Sequence, residues 1–284
     1  MVGHTQLKVR MAVVGTFLFG LYLAVAGFVL TSFGTGPTVL ILLSLGMVGY
    51  PFILYKFGRW SAVRGVGAEE MPERREAGYR FDEIHRSTER LCDEMGIEKP
   101  KLMVAEMGVP NAFAVGRKAD GIVVVSSEII DILEQDELEG VIAHELAHIK
   151  NRDTVMMVMG QSLAAMVGWI VYLVVAFRGE RDIASIMVGW VASMVAQMIV
   201  TVFLMAISRY REYVADEEAA EYTRNPDAMA RALEKISAGA KGNEMQAKEN
   251  VSALCIFGGE RGLLGTLFAS HPPTEKRIER LRSL

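Results

Sequence analysis

A chain of 284 residues with 30 basic and 34 acidic side chains, a formal charge of −4 and 51% hydrophobic residues is long enough for one or two domains with a buried core. Its high hydrophobicity argues against disorder, and its slightly acidic balance argues against a nucleic-acid binder. Two cysteines, Cys92 and Cys255, are too few for a disulfide framework, and neither sits in a CxxC or CxxH cluster, so both read as reduced thiols that pack as small hydrophobes.

Charge is segregated along the chain. Asp, Glu, Lys and Arg are absent from residues 11–55, 154–177 and 183–208, stretches of 45, 24 and 26 residues. A helix of roughly 20 apolar residues crosses the hydrocarbon layer. The first stretch therefore predicts two spans, near residues 11–30 and 39–55, broken where Gly34, Gly36 and Pro37 supply turn chemistry. The other two stretches predict one span each, joined as a tight hairpin by Arg178-Gly179-Glu180-Arg181-Asp182. No small-residue cleavage site precedes the second hydrophobic run, which argues against a signal peptide. Lys8 and Arg10 before the first pair, with Lys56, Arg59 and Arg64 after it, predict that both flanks are cytoplasmic. The hairpin then returns the chain to the side it left, so both polar regions are expected on that side.

Four regions follow: a membrane region over residues 1–60, a polar region over 61–153, the hairpin over 154–208 and a second polar region over 209–284. In the first polar region Phe81, Ile84, Thr88, Leu91, Cys92 and Met95 recur every three to four residues, predicting an amphipathic helix that ends at Gly96. Residues 101–105, 111–115 and 121–125 read as strands, the last two joined by a turn over 117–120. A short helix over 127–133 precedes a second from Asp136, whose pairing with Glu139 resembles a capping box. In the second polar region, Asn225-Pro226 opens a helix over 226–238, residues 241–250 read as a polar loop, and 274–284 as a terminal amphipathic helix.

The helix from Asp136 carries His144-Glu145-Leu146-Ala147-His148. Residues four apart lie on one helix face, so both imidazoles can clamp a single metal ion while Glu145 stands beside it without coordinating. Zinc suits two imidazoles, a third protein ligand and an open position for water, with Glu145 as general base. A third histidine six residues beyond His148 is excluded, since Thr154 occupies that place. A carboxylate on a later helix is the remaining common solution. Glu212 and Asp216, one turn apart after the last uncharged stretch, fit as a ligand and as an acceptor that fixes a ligand histidine's tautomer. The membrane hairpin accounts for the separation of 64 positions from His148 to Glu212. A site-2-type intramembrane protease would carry a Leu-Asp-Gly motif, which is absent, and Lys150, Arg152 and Asp153 place the motif at the water boundary instead. A structural zinc site would need Cys92 and Cys255 in a spacing they lack. His4 and His85 have no partner motif.

Three segments, His144 to His148, Ser208-Arg209-Tyr210-Arg211-Glu212-Tyr213-Val214-Ala215-Asp216 and Ser270-His271-Pro272-Pro273-Thr274-Glu275-Lys276-Arg277-Ile278, together resemble the HtpX-type membrane zinc metalloproteases, relatives of the CAAX prenyl proteases. The resemblance implies a mainly α, α+β integral membrane protein with about four transmembrane helices and a cytoplasmic gluzincin-like catalytic domain with a small β-sheet. It implies one Zn2+ per chain held by His144, His148 and Glu212, with Glu145 as catalytic base. A strand at Asn111, Ala112 and Phe113 is expected to pair with an extended substrate peptide, and His271 and Arg209 are candidates to steady the oxyanion. The implied partners are membrane-protein substrates and membrane lipid, with no nucleic acid, and the implied location is the inner (cytoplasmic) membrane, with the active site facing the cytoplasm.

Overall fold

The computed structural model describes residues 13, 16, 19–21, 23–32, 34–72, 79–178, 182–251 and 272–284. The chain divides into two compact units. One holds the described residues of Met1–Phe57 and Met156–Ser208, the other those of Gly58–Val155, Arg209–Leu263 and His271–Leu284.

The first unit is helical. It contains α1 (Phe19–Ser32), α2 (Pro37–Ser44), a π-helical turn (Leu45–Gly49), the start of α3 (Tyr50–Gly65), most of α7 (Asp153–Arg178) and the first part of α8 (Ile183–Thr223). Three helical stretches among the described residues are long and apolar enough to cross a membrane: Pro37–Gly65, Asp153–Ala176 and Ile183–Thr223. Of the expected span over residues 11–30, positions 11, 12, 14, 15, 17, 18 and 22 lie outside the described residues, and α1 is short for a crossing. Phe52, Trp169, Trp190 and Phe203 point outward, as lipid-facing side chains do. Helices α7 and α8 approach closely at Gly189, where an added Cβ would lie 3.0 Å from Ala176 Cβ and 3.2 Å from Tyr172 O, the small-residue contact that lets membrane helices touch through their backbones.

The uncharged stretch ending at Ser208 and the charged run after it form a single 41-residue helix, α8. Glu, Ala and Arg are good helix formers, and nothing interrupts the chain until Asn225-Pro226.

The second unit is an α+β arrangement with a four-stranded mixed sheet in the order β1-β2-β4-β3 (Glu69–Glu70, Lys101–Ala105, Ile122–Ser126, Ala112–Val115). Strands β2 and β4 are parallel, and β1–β2 and β3–β4 are antiparallel. Central β4 is buried along its whole length, which explains its unbroken Ile-Val-Val-Val run. The hairpin turn depends on Gly116: its φ is 115°, and a Cβ there would stand 2.6 Å from Asp120 O. Strand β1 has no hydrophobic pattern to announce it: its two exposed glutamates stand opposite Val104 and Met103, and Glu70 also pairs with Lys101 of β2 at 3.0 Å.

Helix α4 (Tyr79–Met95) ends as its periodicity predicts. Gly96 takes φ 65°, its N–H donates to Asp93 O at 3.3 Å, and the Ile97 N–H donates to Cys92 O at 3.1 Å, which closes a Schellman motif. Cys92 is buried, and burial pushes its thiol up to about 12, as expected of a packed, inert cysteine; Cys255 lies outside the described residues. Helix α5 (Ser127–Ile132) is capped by Ser126 Oγ, which accepts from the Ile129 N–H at 3.1 Å.

Helix α6 (Gln135–Lys150) starts one residue before the expected Asp136, and its capping box is Glu134 with Glu137. Asp136 and Glu139 are drawn instead into ion pairs with Arg231 and Arg90. The expected loop over residues 241–250 is also corrected, since α9 (Pro226–Val251) runs through it: the segment is polar but rich in Lys, Glu, Gln and Ala. Helix α10 (Thr274–Leu281) closes the chain. Helix α6 packs against α4, α9, β3 and β4, and Leu91, Ile142, Leu146, Met229 and Leu281 fill the core around it.

Candidate metal centre

Three side chains from two helices converge within the second unit. His144 and His148 project from one face of α6 with their Nε2 atoms 3.2 Å apart. Glu212, on α8, brings Oε2 to 3.6 Å from His144 Nε2 and Oε1 to 3.5 Å from His148 Nε2. Ligands bonded to a tetrahedral zinc at about 2.0–2.2 Å stand about 3.3–3.6 Å from one another, so these donors already have the spacing one ion requires. Among the described residues, this trio is the metal-capable cluster.

Charge supports the same conclusion. Glu145, Asp153, Glu212 and Asp216 bring four buried carboxylates to the neighbourhood, against the two buried guanidiniums of Arg211 and Arg277. With both imidazoles neutral, as ligation of a metal requires, two negative charges are left over, matching one divalent cation. The ring nitrogens register this field. Burial works against the charged form of His144, but the hydrogen bonds of Asp216 and Glu212 outweigh it and push the imidazole up to about 9. His148 is pushed down to about 4 by burial and by the neighbouring His144.

A carboxylate lies against the Nδ1 atom of each ring. His144 Nδ1 lies 3.0 Å from Asp216 Oδ1, as the spacing of Glu212 and Asp216 anticipates. Arg277 of α10 clamps Asp216 with both ends of its fork, at 2.7 Å from Nη2 and 2.8 Å from Nε, and reaches Glu212 Oε2 with Nη1 at 3.2 Å. Burial alone would lower the Arg277 pKa, but pairing with Asp216 holds it above its ordinary value. His148 Nδ1 lies 2.6 Å from Asp153 Oδ2.

Glu145 is buried on α6 next to His144 and is not one of the three clustered donors. Asn111 precedes the end strand β3 and is bound to the sheet through Ser126, with its N–H donating to Ser126 Oγ at 3.0 Å. Ala112 and Phe113 lie on β3, opposite Val125 and Val124, and this strand packs against α6. Arg209 is half-buried on α8, three residues before Glu212. His271 lies outside the described residues. Sequence reasoning gave no role to Arg277, Asp153 or Arg211. Arg277 was visible only as part of the third motif, and the other two pass for ordinary charges flanking a membrane segment.

The model of peptidase family M48 matches residues 79–284. The chain belongs to this family. A Halobacterium salinarum protein named Protease HtpX homolog is 46% identical to this M48 chain, over 96% of it and 100% of the relative. A Pyrococcus abyssi protein of the same name is 35% identical over 98% and 96% of the two chains. The crystal structure of S. mikatae Ste24p resembles the fold with a TM-score of 0.54 at 18% identity, covering 99% of this M48 chain and 65% of that one. The resemblance carried by the three motifs is thus borne out.

Proposed function

We propose that this protein is a membrane-bound, zinc-dependent endopeptidase that hydrolyses peptide bonds of misfolded or damaged membrane proteins at the cytoplasmic face of the cell membrane. The observation that carries the reading is the convergence of Glu212 with His144 and His148, at donor distances of 3.2 to 3.6 Å, although Glu212 stands 64 positions after His148. In this reading four spans anchor the chain, residues 1–60 and 154–208 form the membrane part, and 61–153 with 209–284 form the catalytic part.

His144, His148 and Glu212 hold one zinc per chain, and Asp216 fixes the His144 tautomer. When bound, zinc supplies Lewis acidity that lowers the pKa of a water to about 7. Glu145 takes the proton of the attacking water on its carboxylate and delivers it to the leaving amine. The edge of β3 at Asn111, Ala112 and Phe113 pairs with an extended substrate segment through main-chain hydrogen bonds, which suits a protease with little side-chain preference. Arg209 and His271 are assigned to the developing oxyanion.

The test uses the full chain in detergent, with zinc content and casein cleavage measured side by side. Glu145→Gln is expected to retain roughly one zinc and to lose hydrolysis, whereas His144→Ala loses both. Cleavage by Glu145→Gln at the wild-type rate would remove the general base from the scheme.

A further inference from the structure

Asp153 and Arg211 have no part in the scheme above, yet both are buried beside it. Asp153 is the first residue of α7, and Arg152 before it takes φ 57°, a left-handed conformation that a residue with a side chain adopts only when its surroundings enforce it. That turn sets the carboxylate against His148, with Oδ2 2.6 Å from Nδ1. The other oxygen, Oδ1, forms an ion pair with Arg211 Nη2 at 2.6 Å. Arg211 is 4% exposed, and its Nε and Nη1 are buried with no hydrogen-bond partner. A guanidinium withdrawn from water with most of its donors unused is a costly element, and the ion pair with Asp153, together with the charge of neighbouring Glu212, offsets that cost.

The arrangement repeats one already described. His144 is backed by Asp216, which is clamped by Arg277. His148 is backed by Asp153, which is held by Arg211. Each histidine of the centre thus has its own aspartate and its own arginine: α8 supplies one member of each set, Asp216 and Arg211, while α7 supplies Asp153 and α10 supplies Arg277.

We propose that Asp153 and Arg211 are positioning residues for His148. Asp153 accepts the Nδ1 proton, which leaves the Nε2 lone pair directed at the ion, and Arg211 holds the carboxylate in place and balances its charge. In a neutral imidazole the hydrogen bond at one nitrogen decides what the other can do, so loss of Asp153 leaves His148 free to choose the wrong tautomer. The inference rests on the metal-centre reading given above.

The experiment measures zinc affinity of the full chain in detergent by chelator competition, together with the visible absorption of the Co2+-substituted protein. Asp153→Ala is expected to weaken zinc binding by about 10- to 100-fold and to alter the Co2+ spectrum. Arg211→Met weakens it by a smaller factor, and Arg211→Lys, which restores a cation beside Asp153, recovers most of the loss. Thermal melting of each variant separates loss of fold from loss of metal. Should the alanine variant fail to fold, Asp153→Asn keeps the shape and one acceptor oxygen, and an intermediate loss of affinity is expected. Wild-type zinc affinity in folded Asp153→Asn and Arg211→Met overturns the inference. Failure of the wild-type chain itself to bind zinc counts against the metal centre instead.

Discussion

In the first unit Phe52, Trp169, Trp190 and Phe203 are each more than half exposed, whereas in the second Leu91, Ile142, Leu146 and Leu281 are sealed inside, together with the charged groups of the candidate metal centre. Both patterns obey one rule, that apolar surface is placed against an apolar environment. The first unit has apolar side chains all round its helices and so meets a solvent of lipid. The second must make its own apolar interior, and it admits charge there only where partners answer it, as Arg277 answers Asp216 and Glu212.

Substitutions that confuse the two environments test this contrast. Leu146→Ala removes a fully buried side chain between the two clustered histidines and is expected to destabilise the second unit by about 2–5 kcal/mol, read as a lower melting temperature in detergent. Unchanged melting would mean that α6 is not packed into a core. Val195→Arg places a charge near the middle of an apolar stretch, at a cost of about 3 kcal/mol, and should reduce the fraction of chain that resists carbonate extraction from membranes. Full retention would argue that this face of α8 meets water. Gly96→Ala forces a side chain into the left-handed cap of α4 and is expected to cost about 1 kcal/mol, detectable as a small fall in melting temperature with no change in zinc content.

Legibility of the site in the sequence followed the range of the interactions. His144, Glu145 and His148 lie within five residues of one helix, where the helical repeat alone sets their geometry. Glu212 and Asp216 were readable as a one-turn pair on a second helix. Asp153, Arg211 and Arg277 were not, because a charge beside a membrane segment or on a terminal helix has no local mark that tells a solvated side chain from a buried one. The start of α6 shows the same limit. Glu134 with Glu137 and Asp136 with Glu139 are equally spaced, and the pairing of Asp136 with Arg231 and Glu139 with Arg90 accompanies the choice of the first frame.

The amino-acid order alone determined where apolar helices run, which helix carries the two imidazoles, and that a carboxylate must come from far along the chain, since periodicity and charge segregation are properties of neighbouring residues. The folded molecule decided which arginine faces which aspartate, where β1 joins the sheet and how far α8 and α9 extend. Those outcomes depend on contacts between segments remote in the chain, and no local pattern encodes their approach.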